Sequence, residues 1–499
     1  MKHQLESWSR GDFEGRLRSA RSAPLLPRPI VRRIGAWVFG AHIFLGVLAV
    51  TISPLVDARG WWWLAPFSLA SLVMLAYLVL RSLRTDPAGI LYEMGLFLAF
   101  SCGLYYAFGP MLFVIGPVEA SEYAQWWYRV DASESIWLTG LNFIGLGVAG
   151  IAYVVARFPS LARITDTAAR GWARVSPTRV FVAFLLIGFT ARYLFVLPFE
   201  LRLTDSMPSG LARQLARLLV VALIIGWTYK GAGPWWMGRL AEILLVSEAL
   251  IGFLMFSKTE VLLAIMAAAL GHYFARRSLR KLLMTGLVGM LIYTFIGPMV
   301  TFGRNELGAR GGGVPVPADL SERLDIIEAY FTGSETHLRQ QEISGFWWAR
   351  LNYLPSQQSA VSFYDRGRGS DDLQRLMWIF MPRLLFPSKP EMTGAGIDLT
   401  EKVTGGRHSS TGVGVFVDGY YMLGWFGVLV ASCTYGLALR AYSTIARAIV
   451  QGRAVVMYPL VLMGIYAGLR ADGWWLTDVA GPMVFVLVVL ALFRAFSKS

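Results

Sequence analysis

The chain has 499 residues, of which 55% are hydrophobic and 16% charged, with a mean hydropathy of +0.51 and a formal net charge of +14. Soluble domains carry about 25% charged residues, so these figures exclude a soluble globular protein and point to a polytopic membrane protein, expected to be all-α. Two isolated cysteines, Cys102 and Cys433, give neither a disulfide framework nor a metal-ligand spacing.

The first 33 residues form a basic tail, running to Arg33, with no small-residue cleavage site after it. Apolar runs near the roughly 20 residues that span a bilayer then recur about twelve times. They are expected at 35–54, 61–80, 90–115, 136–155, 180–198, 216–230, 240–256, 261–275, 282–300, 420–438, 455–470 and 478–494. Four parts follow: a cytoplasmic tail (1–33), transmembrane helices 1–9 (34–300), a large loop subdomain (301–419) and transmembrane helices 10–12 (420–499).

Orientation follows from Lys and Arg in short loops. With the N-terminus in the cytoplasm, the cytoplasmic segments hold the tail, Arg81 and Arg84, the run Arg157 to Arg179, "RRSLRK" and Arg440 to Arg453. Together with Lys230, Arg239 and the C-terminal end, these contain more than half of the 46 basic residues. Both termini are then cytoplasmic and the 301–419 loop is outside. The net positive charge is therefore a matter of topology and implies no nucleic-acid partner. The loop carries aromatic-rich stretches such as "FWWARLNYL", which a disordered linker lacks, and reads as mostly helical. Within it, "GARGGGVPVPADLSERL" predicts a helix start at Asp319 or Ser321.

Charges at membrane depth or at span ends are costly and mark function by default. On the outer side the chain places Arg192 in "GFTARYLFVLP", then Arg202, Arg213 and Arg217, Lys258 in the turn "FSKTEV", and Arg304. Arg350, Arg383, Lys389 and Arg407 lie in the long loop, and Arg470 follows the eleventh span. Guanidinium forks and ammonium groups converging there suit a phosphate-bearing ligand. Taken alone, an outer-loop Arg is usually a solvated or headgroup contact; Arg192 and Lys258 are better placed, with apolar neighbours and short loops. The acids are sparser. Asp418 in "VGVFVDGYYMLGWFG" has apolar neighbours, which would raise its pKa and suit a general base. His408 in "GGRHSSTG" is a second base candidate or a surface residue. Glu93, Glu242 and Glu248 read as structural partners of cations or as parts of an ion path. There is no P-loop, no GxSxG elbow, no HExxH and no DxD pair. No metal or other cofactor motif is visible, and if the chain is an enzyme its substrate carries its own activated bond.

The stretch "MPRLLFPSKP" (381–390) resembles the Pro-Arg…Pro-x-Lys-Pro element of Wzy-type O-antigen and exopolysaccharide repeat-unit polymerases. "FLMFSKTEVLLAIM" looks like that family's Ser-Lys/Arg turn before a span. "WWARLNYLPSQQSAV" resembles its Arg-containing helix, and "GVFVDGYYMLGWFGVL" its acidic-x-Tyr-x-x-x-Gly segment, with Asp418 where the family often has Glu. The likeness covers roughly residues 250–438. It implies a class-C-like glycosyltransferase whose donor and acceptor are undecaprenyl-diphosphate-linked oligosaccharides, working at the periplasmic face of a bacterial inner membrane. A separate chain-length regulator protein is a further implied partner, alongside membrane lipids. On this reading Arg383 and Asp418 do the chemistry, with His408 in reserve. Arg192, Arg213, Arg217, Lys258, Arg304, Arg350, Lys389 and Arg470 bind the diphosphate. An O-antigen-type ligase and a non-enzymatic flippase or transporter are the alternatives.

Overall fold

The computed structural model describes residues 28–116, 130–206, 208, 210–276, 278–310, 318–332, 351–375, 377–378, 386, 395–404 and 412–496. Every regular element among them is helical. In chain order they are α1 (Arg28–Ile52), α2 (Leu64–Thr85), α3 (Met94–Ile115), α4 (Ala132–Val155), α5 (Pro159–Trp172) and α6 (Pro177–Glu200). Then come α7 (Gly210–Ala216), α8 (Leu218–Thr228), α9 (Trp235–Leu254), α10 (Lys258–Arg276) and α11 (Leu279–Arg310). The long loop contributes α12 (Leu320–Thr332), α13 (Leu354–Asp365) and α14 (Ala395–Thr404). The chain closes with α15 (Val415–Gly452), α16 (Tyr458–Leu469) and α17 (Gly481–Phe496).

Eight helical stretches are long and apolar enough to cross a membrane: those of α1 to α4, α6, α11, α15 and the segment Trp475–Ala495. The other four expected spans also fall on helices. They are shorter or more polar: α8 has 11 residues, α9 carries Arg239, Glu242 and Glu248, α10 opens on Lys258 and Glu260, and α16 has 12 residues. Helix starts follow local chemistry. Asp131 and Glu134 form a reciprocal capping box on α4. Asp319 accepts the Glu322 N–H at 2.8 Å while Glu322 accepts the Asp319 N–H at 3.1 Å, so α12 begins where its sequence predicts.

α4 occupies the centre. On one side the Phe39 ring of α1 lies on Gly150, where an added Cβ would come within 2.1 Å of it. On another, Phe416 of α15 lies on Gly145, and the Ala149 carbonyl meets Gly436. Small residues let membrane helices approach to backbone contact, and here they let α1 and α15 share one neighbour. Short connections make successive helices alternate in direction, so their ends gather into two layers. One layer, called the site end below, holds 55–61, 130–132, 200–217, 254–258, 351–354, 412–418 and 470–475. Ala132 donates to the Ala58 carbonyl there, and Gly414 to that of Asp472.

The opposite end is closed by its own charges. Glu93 is bonded to Arg447 and lies 3.8 Å from Arg440, while the Tyr153 hydroxyl donates to it at 2.5 Å. Glu242 is likewise paired, with Lys230 at 2.6 Å and Arg239 at 3.0 Å. Both carboxylates are structural partners of cations.

Candidate functional site

The site begins with a break in α15. Leu423 and Gly424 leave helical geometry, and Gly424 has φ 61° and ψ −147°, a region that favours glycine. The first two turns, 415–422, therefore fold back on the rest of the helix. The Gly419 and Gly427 backbones touch so closely that a Cβ on Gly427 would lie 1.9 Å from the Gly419 carbonyl oxygen. Asp418 sits on this folded-back arm, 1% exposed, and its Oδ2 accepts the Trp475 N–H at 2.8 Å. Trp475 opens the last membrane segment, so Asp418 caps that helical segment from a different part of the chain. It is a buried, hydrogen-bonded carboxylate, deeper than its sequence neighbourhood implied.

The turn 470–478 lies against the arm. Arg470 reaches Asp478 at 3.2 Å and Asp472 at 3.9 Å. Asp478 Oδ2 also accepts the Trp474 N–H at 2.8 Å. The Tyr353 hydroxyl, just before α13, donates to Asp472 Oδ2 at 2.9 Å, and the Tyr105 ring of α3 meets Tyr353 edge-on at 5.3 Å. Asp472 Oδ1 and Arg470 Nε lack a hydrogen-bond partner among the described residues. Burial pushes the Asp472 carboxyl above the usual carboxylate range, against the pull of Arg470 and the Tyr353 hydroxyl. Buried amides hold the frame: Asn142 donates to Gln357 at 2.8 Å, and Gln357 donates to the Val413 carbonyl at 2.9 Å.

The cations gather around aromatic rings. The Arg217 and Arg470 guanidinium carbons lie 5.9 and 5.7 Å from the Tyr466 ring centre, and Arg217 is exposed. The Lys258 ammonium lies 5.1 Å from the Tyr293 ring and donates to Thr301 at 3.3 Å. Tyr105 joins the two groups, with Asp472, Arg470, Tyr293 and Tyr466 all in electrostatic reach. Arg304 supports the Lys258 turn by donating to the Phe256 carbonyl at 2.9 Å. Arg213 is exposed on α7 and acts on Glu200.

No protein family, curated protein or solved structure matches the chain.

Of the residues singled out from sequence, the fold brings Asp418, Arg217, Arg470 and Lys258 to one end, with Arg304 and Arg213 beside them. Arg192 has another role. Its guanidinium is buried among Glu260 at 2.6 Å, Glu200 at 3.4 Å and Glu248 at 3.7 Å, so three carboxylates already meet its charge. The expected diphosphate ligand is thus found paired with protein carboxylates. The reason is that acids on α9 and α10, and at the end of its own helix, converge at its depth. Arg383, Lys389, Arg350 and His408, together with Arg407, lie outside the described residues. Sequence reasoning missed Asp472, Asp478, Tyr353 and Tyr105. It also missed Arg323, which is 4% exposed and donates to the carbonyls of Ala318, Leu254 and Glu200 at 3.0 to 3.2 Å. The one signal was "GLRADGWWLTD", where a cation and two acids stand within nine residues beside a span.

Proposed function

We propose that the chain is a membrane glycosyltransferase that polymerises lipid-diphosphate-linked oligosaccharide repeat units at the periplasmic face of a bacterial inner membrane. The observation that supports the reading best is the pairing of a half-exposed cation group with a raised carboxyl at one end of the bundle. Arg217 and Arg470 share Tyr466, and Asp472 turns its Oδ1 toward Arg470 at 3.9 Å while its Oδ2 accepts the Tyr353 hydroxyl.

In this scheme Asp472 takes the proton of an acceptor hydroxyl on a lipid-linked repeat unit. The hydroxyl oxygen bonds to the anomeric carbon of the growing chain. The bond from that carbon to the donor diphosphate breaks, and undecaprenyl diphosphate leaves with the electron pair. Arg217, Arg470 and Lys258 stabilise the charge that develops on the leaving diphosphate. Groups placed in advance for such charge are worth about 2.7–4 kcal/mol each in the barrier. Asp418 positions the 470–478 turn through Trp475. Arg383 and Lys389 enter from the resemblance alone: Pro382, Pro387 and Pro390 restrict the backbone around them, which favours a fixed pair of cations.

The test is a deletion strain in which the surface glycan and the lipid-linked pool are both analysed. Single repeat units support a polymerase. Long chains left on undecaprenyl diphosphate mean a ligase, and units held in the cytoplasmic leaflet mean a flippase. Polymer of normal length, with no redundant enzyme, overturns the proposal.

A further inference from the structure

Two residues beyond Asp418, the folded-back arm carries Tyr420, the hub of a second cluster. Its ring centre lies 5.2 Å from Tyr364, 5.5 Å from Trp137 and 5.9 Å from Trp425, and Trp137 and Trp425 are 5.7 Å apart. The interplanar angles run from 66° to 86°, so the rings meet edge to face. The Tyr420 hydroxyl donates to Asp365 Oδ1 at 3.1 Å. Tyr420 itself is buried, Trp137 and Tyr364 are half-buried, and Trp425 and Asp365 are exposed.

We propose that Trp137, Tyr364, Trp425 and Asp365 form a pyranose-binding platform. A pyranose offers apolar C–H faces, which fit flat electron-rich rings, and hydroxyl donors, which fit a carboxylate at their rim. An acyl chain has no donor for Asp365, and a carboxylate facing lipid is costly. A phosphate would be repelled by it. Trp and Tyr are enriched at membrane interfaces, but an interfacial position alone does not call for a carboxylate at the rim. These rings come from α4, α13 and both arms of α15, and close on one another. The main chain fixes the rim: Ser370 donates to the Tyr421 carbonyl at 3.0 Å, just after a turn in which Gly367 has φ 72°. The platform and Asp418 share one rigid arm, so a sugar held here lies at the same end as the Arg470–Asp472 group. The inference rests on the polymerase reading only for the origin of the sugar.

The experiment is hydroxyl-radical footprinting of the full chain in phosphatidylethanolamine and phosphatidylglycerol nanodiscs, which carry no glycan. The probes are maltohexaose, cellohexaose, mannohexaose and a hyaluronan hexasaccharide. At least one of them should slow oxidation of Trp137 and Trp425 severalfold and leave the exposed Trp62 unchanged. Asp365→Ala and Trp425→Phe should each weaken that protection severalfold, measured at Trp137. Asp472→Asn should keep it while polymer formation is lost. Absence of protection by every probe, or equal protection of Trp62, overturns the platform. Protection in a protein whose deletion leaves polymer unchanged keeps the platform and removes the polymerase.

Discussion

Asp418 accepts the backbone N–H of Trp475 at 2.8 Å, across 57 positions of chain, and so ties the folded-back arm of α15 to the start of the last membrane segment. A carboxylate in this position is first a fastening. Replacing it by alanine leaves a buried N–H unmet, at a cost of about 1–3 kcal/mol. Asp418→Asn retains an acceptor oxygen and should keep most of the thermal stability that Asp418→Ala loses. Melting curves of the two variants in detergent check this. Equal melting points would show that Trp475 does not depend on the bond.

Asp472 is the acid whose ionisation should govern turnover. Burial raises its pKa, and it acts as a base only when deprotonated, so polymer formation should rise with pH through that pKa and fall below it. Tyr353 bonds the charged form and holds the pKa down. Tyr353→Phe should therefore move the acid limb of the pH profile to higher pH. An unmoved limb in Tyr353→Phe, or full activity in Asp472→Asn, would remove Asp472 as the base.

Arg192 should behave as a structural residue. Removing one member of a buried ion pair costs about 3–5 kcal/mol, and Arg192→Ala would strand Glu200, Glu248 and Glu260 together. The expected result is a sharp drop in folded protein, read by size-exclusion chromatography. Arg192→Lys, a single point charge without the fork, should fall between. Normal folding with selective loss of polymer would return Arg192 to the ligand set.

Gly427→Ala places a methyl group against the Gly419 carbonyl and should disturb the arm, lowering both the melting temperature and polymer yield. Gly286→Ala is the control, since nothing lies within 4 Å of its added Cβ, and it should change neither.

How much of this was legible in the sequence depends on the range of the interaction involved. Hydropathy placed every expected span on a helix, eight of them long and apolar enough to cross a membrane, because apolar composition is a local property of the chain. The α12 start was equally local, since Asp319 and Glu322 are three residues apart. The partners of Arg192 were not legible: Glu248 and Glu260 lie 56 and 68 positions away, and only packing brings them to one depth. Asp418 was found for its apolar neighbours, but its bond to Trp475 depends on a break at Gly424 that hydropathy reads as continuous helix. The importance of Asp472 comes from Tyr353, 119 positions earlier, and no spacing rule connects those two residues.

The bonds that hold the 470–478 turn have a consequence for biosynthesis. Ser101 and Tyr106, in α3, meet Leu469 and Ala471 across 365 to 370 positions, and Asp418 waits for Trp475. During synthesis the third span leaves the ribosome long before its partners exist. Closure of this end of the bundle is therefore a late event, completed only when the final helices are in place, and a nascent chain halted before Leu469 lacks the partners of Ser101, Tyr106 and Asp418.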